Sequence, residues 1–213
     1  MTKVLLFDLW GTLIETGIQS PTKQVQQTLR VNMPFSSYIN IMEKAMMTTK
    51  FESLHDAFIA TAQEFKIHPR QEMLEHLIGL WNKSWMLAQP YQDTEEMLAQ
   101  LQKKYRLVLV SNTDCFSAPK VLEKYNLNKY FEKIFYSYEL GLIKTNDQFM
   151  QTVLKQLNVS INDCVFIGDS LQSDMAVAQH IGMKHILMDR RNGREFHPKI
   201  TSLRELEQQM EQL

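Results

Sequence analysis

Three apolar runs in the chain lead straight into residues that can do chemistry. Val4 to Phe7 ends at Asp8 in FDLWGTL, Leu107 to Val110 ends at Ser111 in VLVSNT, and Val165 to Ile167 leads to Asp169 in FIGDSLQSD, with Asp174 close behind. Two carboxylates and a hydroxyl gathered in one place make an oxygen-ligand site for a hard divalent cation, with a nucleophile inside it. Singly, each is weak. An Asp after a strand is more often a turn residue or a helix N-cap, and Ser111-Asn112 would serve equally to cap a following helix. Their conjunction points to catalysis only if the fold brings the three segments together.

The runs are short, continuous and rich in β-branched residues, as strands buried on both faces of a parallel sheet must be. His185 to Met188 is a fourth such run and Ile134 to Tyr136 a weaker fifth. Helical patterns lie between them: Met97, Leu98 and Leu101 after a capping box from Asp93 to Glu96; Phe149, Val153, Leu154 and Leu157; and Ala178 and Ile181, closed by Gly182. A final stripe of Leu203, Leu206, Met210 and Leu213 is expected to pack on the sheet. Strand alternating with helix is the signature of an α/β, doubly wound (Rossmann-like) parallel sheet. Such sheets bind ligands outside the carboxyl ends of their strands, where Asp8, Ser111 and Asp169 fall. From about Ser20 to Leu87 the alternation stops and only helical periodicity remains. Ser20-Pro21 opens one helix; Tyr38, Met42, Ala45 and Met46 mark a second; Leu54, Phe58, Ala62 and Phe65 a third; Met73, Leu77, Trp81 and Trp85 a fourth. The expected organisation is a core domain of residues 1–16 and 90–213 with an all-helical cap domain, residues 17–89, inserted after the first strand.

With 213 residues, 44% of them hydrophobic and 22% charged, the chain can bury a full core. Lysine plus arginine number 23 against 24 for aspartate plus glutamate, so no global field favours nucleic acid or an anionic membrane. The N-terminal apolar run is too short for a signal peptide and no stretch is long enough to span a bilayer. A cytoplasmic protein, monomeric or homodimeric and acting on a small molecule, is expected. Cys115 and Cys164 read as packing or loop residues, and the six histidines lack ligand spacing.

Taken in order, FDLWGTL, SNT, the lysine of YELGLIK and GDSLQSD resemble the four motifs of the haloacid dehalogenase-like superfamily, across essentially the whole chain. The helical insert falls where that family carries its first type of cap. The resemblance implies that Asp8 forms a covalent intermediate at phosphorus or carbon. It further implies that Ser111 hydrogen-bonds the transferring group and that Lys144 balances charge on nucleophile and phosphate. Mg²⁺ would be held by Asp8, Asp169 and the backbone carbonyl of Trp10, with Asp174 and Ser170 supporting from behind. Trp10, Thr12, Asn112 and Thr113 are the corresponding substrate-binding positions. Elementary electrostatics agrees, because a carboxylate approaches a phosphate dianion only if cations offset the repulsion. Amides of Asn112 and Thr113, at a helix start, would add donors to phosphate oxygens, and Gly11 lets the chain turn sharply behind the nucleophile. The competing reading of Lys144 is a solvated loop lysine, with Lys133 a nearby rival.

Two positions depart from the pattern. Family phosphatases carry a second aspartate two residues after the nucleophile, which protonates the leaving group; here it is Trp10. The carbonyl at that position survives the change, but proton transfer does not. General acid–base help is worth about 10²–10⁴-fold, or roughly 3–5 kcal/mol of barrier. A sugar alkoxide would feel that loss fully, an acyl or aryl leaving group little. The dehalogenases of the superfamily place an aromatic residue there too, yet they attack carbon without metal, lack the aspartate found here as Asp169, and need an arginine for the substrate carboxylate. Arg30 is the only arginine early in the insert. The intact GDSLQSD favours a magnesium-dependent hydrolase of small phosphorylated metabolites; 2-haloacid dehalogenation and a catalytically weak phosphate- or partner-binding protein are the alternatives. The second departure is Thr145, where proline is common, which should loosen the loop behind Lys144. Arg190, Arg191 and Arg194, around Asn192-Gly193, read as a solvated loop. Trp81, Trp85 and the methionines of the insert read as packing.

Overall fold

In chain order the elements are β1 (Val4–Phe7), β2 (Ile14–Glu15), α1 (Pro21–Thr28), α2 (Phe35–Met47), α3 (Leu54–Glu64), α4 (Gln71–Leu87), β3 (Gln89–Pro90), α5 (Thr94–Leu101) and β4 (Arg106–Ser111). They continue with α6 (Ala118–Lys124), β5 (Lys133–Tyr136), α7 (Ser137–Leu140), α8 (Asp147–Leu157), β6 (Cys164–Gly168), α9 (Ala176–His180), β7 (Lys184–Met188), β8 (Lys199–Ile200) and α10 (Leu206–Met210). The structure, a computed structural model, describes residues 4–15, 17 and 19–213. Residues 1–3, 16 and 18 lie outside the described residues, and with them the domain boundary expected at residue 16.

Six strands form one parallel sheet in the order β5-β4-β1-β6-β7-β8. All five runs anticipated as strands are strands. Their lack of polar alternation has a direct cause: both faces of the sheet are covered. Leu5 and Phe7 of β1 pack with Leu107, Leu109, Val165 and Ile167 on one face, against α5, α6 and α10. Val4 and Leu6 pack with Val108, Val110 and Phe166 on the other, against α8 and α9. β1 sits between β4 and β6, so the chain builds outward to one side and then to the other. The carboxyl ends of these three neighbours form the crevice where ligands bind in such sheets.

The four helices between β2 and β3 have their own apolar centre, in which Val25, Tyr38, Met42, Phe58, Leu77 and Trp81 are buried together. Ser20 caps α1, with Pro21 in its first turn where the missing amide costs nothing, and Ser53 caps α3 by accepting from the Asp56 amide at 3.2 Å. β2 and β3, two residues each, pair antiparallel where this helical segment leaves and rejoins the sheet. Among the described residues no helix is long and apolar enough to cross a membrane.

Some local expectations fail. Asp93 does not cap α5; its carboxylate is taken by Arg190, Ser202 and the Leu203 amide. A tertiary ion pair has outcompeted a local cap. The C-terminal stripe is cut short: α10 ends at Met210, Leu203 and Leu206 are buried, and Leu213 is exposed. α6 starts only at Ala118, so Asn112 and Thr113 are not at a helix start.

Candidate active site

The ladder itself places the first two acids. Asp8 continues β1 by donating its amide to the Ile167 carbonyl at 2.9 Å, so its side chain emerges beside the end of β6, where Asp169 follows Gly168. The turn after Asp8 requires Gly11, whose φ is +79°. A Cβ there would also run into the Asp169 carboxylate. Asp174 lies in a π-helical turn, Leu171–Met175, capped by Ser170 Oγ accepting from the Ser173 amide at 3.1 Å. Ser170 also donates its amide to Asp174 Oδ2 at 3.0 Å. That wide turn brings Asp174 to Lys144 and to the carboxylates of Asp8 and Asp169.

Lys144 arrives from the connection between α7, which ends at left-handed Gly141 (φ 69°), and α8. It is 2% exposed, which rules out the solvated-loop reading. Its Nζ lies 2.5 Å from Asp8 Oδ1 and 2.8 Å from Asp174 Oδ1. Burial opposes its charge, but Asp174 and Asp8 outweigh burial and hold the ammonium protonated above its ordinary range. Lys133, the rival, is a surface residue bonded to Gln156.

Carboxylate oxygens of Asp8, Asp169 and Asp174 lie within 4.8 Å of one another. Three acids with one lysine leave an excess of negative charge. Burial, and then the neighbouring carboxylates, push Asp169 up to about 8. Burial pushes Asp8 up to about 6, with Lys144 opposing it. Oxygen donors that resist ionisation in one another's company are what a divalent cation relieves, so the residues present fit Mg²⁺.

Over these groups lies a cleft of about 810 Å³, walled on one side by the strand-end loops with Trp10, Asn112 and Thr113, and on the other by the helical segment. The Trp10 indole donates to Thr113 Oγ1 at 3.4 Å. Asn112 braces two elements: its Oδ1 accepts from the Lys144 amide at 2.8 Å and its Nδ2 donates to Glu43 of α2 at 2.8 Å. Trp81 of α4 donates to buried Asp114 at 3.0 Å.

The family model for haloacid dehalogenase-like hydrolases matches residues 5–188, which takes in β1 through β7 and with them every charged group just described. The chain belongs to the haloacid dehalogenase-like hydrolases. This hydrolase is 24% identical over 193 residues to the glyceraldehyde 3-phosphate phosphatase of Pyrococcus abyssi, covering 87% of this chain and 81% of that protein. In fold it is similar to a 2-haloacid dehalogenase from Pseudomonas syringae (TM-score 0.68, 18% identity, covering 100% of this chain and 99% of that one). It is also similar to a hydrolase of the same family from Bacillus subtilis bound to magnesium (TM-score 0.67, 22% identity, covering 97% of each chain).

The hydrolase thus gathers Asp8, Lys144, Asp169 and Asp174 at one point, with Trp10, Asn112 and Thr113 on the cleft wall. Other anticipated residues stand behind it. Thr12 is buried and donates to Asp8 Oδ2 at 3.3 Å, orienting the carboxylate. Ser111 is also buried, its hydroxyl directed to the Asn112 carbonyl at 3.4 Å. The Thr113 amide is not a free donor, because it bonds Ser137 Oγ at 2.9 Å. Residues 114–117 form a turn closed by Asp114, whose Oδ1 accepts the Phe116 and Ser117 amides.

The solvated-loop reading of the cations after β7 holds for exposed Arg191 but fails for Arg190 and Arg194. Arg190 is not solvated: it pairs with Asp93 at 2.8 Å and donates to the Thr12 carbonyl at 2.7 Å, so it fixes the turn that carries the nucleophile. Despite burial, Arg190 and Ser202 hold the Asp93 carboxyl below its ordinary range. Arg194 donates to the Asp169 carbonyl, and its guanidinium stands 3.8 Å from the Asp169 carboxylate. One signal was available: these arginines follow a strand of the same sheet and therefore sit at the same edge. Arg30, by contrast, is exposed and does not line the cleft.

Proposed function

We propose that this chain is a magnesium-dependent phosphohydrolase of small phosphorylated metabolites, acting through an aspartyl-phosphate on Asp8. The observation that carries the proposal is the ammonium of Lys144 held between Asp8 and Asp174, with Asp169 inside the same carboxylate cluster. That is a nucleophile, the counter-charge it needs beside a phosphate dianion, and a ligand set for a cation. Similarity to a glyceraldehyde 3-phosphate phosphatase supports phosphate chemistry.

In this reading Asp8, Asp169 and the Trp10 carbonyl hold Mg²⁺, which when bound offsets charge on the phosphoryl oxygens and the nucleophile. Thr12 and Lys144 fix the two oxygens of Asp8 so that one lone pair faces the phosphorus. Asp174 keeps Lys144 charged and in place. Ser111, at the end of β4, reaches the transferring group by rotating about its Cα–Cβ bond away from the Asn112 carbonyl. Trp10 and the Asn112 side of the cleft wall contact the phosphate ester. Residues 17–89 act as a cap over a core domain of residues 1–16 and 90–213, closing the cleft against water.

Arg30 is exposed and away from the cleft, so it does not serve as the carboxylate clamp of the dehalogenase alternative; Arg191 and Arg194 do line the cleft, and the assay separates the two readings. The test is turnover of p-nitrophenyl phosphate with Mg²⁺ and with chelator, beside halide release from 2-chloropropionate. Magnesium-dependent turnover that Asp8→Asn abolishes supports the proposal. Halide release that persists in chelator overturns it.

A further inference from the structure

The phosphohydrolase reading leaves a gap at position 10, where tryptophan cannot donate a proton to a departing oxygen. We propose that Glu43, on helix α2 of the helical segment, is the proton donor to the leaving group. The inference rests on the function proposed above and adds a catalytic residue to it.

Geometry carries it. Phe35, Ile39, Glu43 and Met47 follow one another at four-residue intervals along α2, and all four line the cleft. A carboxyl set into an otherwise apolar stripe is poorly explained by packing or solubility, because that face of the helix could have been apolar throughout. Asn112 fixes the carboxyl in place: its Oδ1 accepts from the Lys144 amide, so its Nδ2 must point toward Glu43, donating to Oε2 at 2.8 Å. Glu43 is thereby tied through one side chain to the backbone of the lysine that holds Asp8. Among the described residues, Oε1 of Glu43 makes no hydrogen bond, and it is left for the cleft.

The other acids of the cleft are occupied. Asp114 accepts from the Phe116 and Ser117 amides, the Ser117 hydroxyl and the Trp81 indole. Asp189 accepts from the Arg194 amide, and Asp174 is held by Lys144 and Ser170. The charged groups that bear on Glu43 are Lys144, Asp174 and Asp8. Burial raises its carboxyl to about 7, with the Asn112 bond and Lys144 opposing the rise, so a large fraction carries a proton at neutral pH.

In an in-line displacement the leaving oxygen departs from the face of phosphorus opposite the attacking one. With Asp8 on the sheet side, that face looks toward the helical wall and Glu43. An Asp8 oxygen forms the new P–O bond as the ester P–O bond breaks. The electron pair goes to the leaving oxygen, which takes the Glu43 proton and departs as an alcohol. Water then enters on the same face. Glu43, now a carboxylate, accepts a proton from that water as it bonds phosphorus and the P–O bond to Asp8 breaks. The products are inorganic phosphate, a free Asp8 carboxylate and Glu43 protonated again.

The experiment compares Glu43→Gln with wild type on glycerol phosphate and on p-nitrophenyl phosphate, with Mg²⁺, across pH 5–9 (a range chosen as roughly two units either side of the Glu43 value). Glutamine keeps an oxygen for Asn112 to bond, and a thermal melt verifies the fold. Expected is a fall in kcat of about 10²-fold or more on the alkyl ester and of less than about tenfold on the aryl ester. The decline of alkyl kcat above about pH 7 should vanish in the variant, and adding Trp10→Asp should recover alkyl turnover. Equal losses on both esters, or a change confined to KM, would make Glu43 a structural or binding group and overturn the assignment while leaving the phosphohydrolase reading standing. A wild-type enzyme that hydrolyses neither ester sinks both.

Discussion

Gly11→Ala perturbs the site at its narrowest point. The native φ of +79° is open to glycine but costs an L-residue roughly 1–2 kcal/mol. The added methyl would also occupy the space of the Asp169 carboxylate, so side chain and turn cannot both keep their places. For a chain of this length each kcal/mol is worth about 2–4 °C, and the metal-free variant should melt about 2–8 °C below wild type. Magnesium demands near-ideal octahedral geometry, and disturbing the support of one ligand typically costs about 10–100-fold in affinity. The magnesium concentration giving half-maximal turnover of p-nitrophenyl phosphate should rise by that factor. Thermal melts in chelator and a magnesium titration of turnover separate the two effects. A lowered melting temperature with an unchanged magnesium midpoint would mean that backbone strain alone accounts for the loss and that Asp169 is not a ligand.

Two other outcomes follow from buried charge. Burial raises Asp8 to about 6, Glu43 to about 7 and Asp169 to about 8, from ordinary values of 3.8, 4.5 and 3.8. The metal-free folded state therefore holds more protons than the unfolded chain through this interval. Its stability should be full below about pH 4, fall by about 1.4 kcal/mol per pH unit for each excess proton as pH rises, most steeply up to about 6 while all three groups hold one, and level off above about 8. Melts in chelator from pH 4.5 to 8.5 check this, with magnesium expected to restore most of the loss; a flat profile would contradict it. Arg190→Met should leave buried Asp93 without its cation and cost about 3–5 kcal/mol in urea unfolding, with Arg190→Met/Asp93→Leu recovering much of it. A loss of the single variant below about 1 kcal/mol would show the pair to be marginal.

The central sheet was legible because burial on both faces writes itself as short apolar runs, and Asp8, Ser111 and Asp169 were legible because they end those runs. β2, β3 and β8 are two residues each, too short to carry a period. Asp93 and Arg190 were misread for one reason: an aspartate before a helix and an arginine beside Asn-Gly look local, while their real partners lie 97 residues apart in sequence. Only the folded chain reveals such pairs. Lys144 was legible through its motif, but its burial between two acids was not. Glu43 was concealed among the ordinary charges of a helix, although its place in a stripe with Ile39 and Met47 was a readable signal.

The most direct test is to stop wild-type enzyme in acid during turnover of p-nitrophenyl phosphate with magnesium and to map the modified peptide by mass spectrometry. Expected is a phosphoryl group on Asp8, absent in chelator and absent in Asp8→Asn. Turnover that continues in Asp8→Asn, or a phosphoryl group on any other residue, would contradict it.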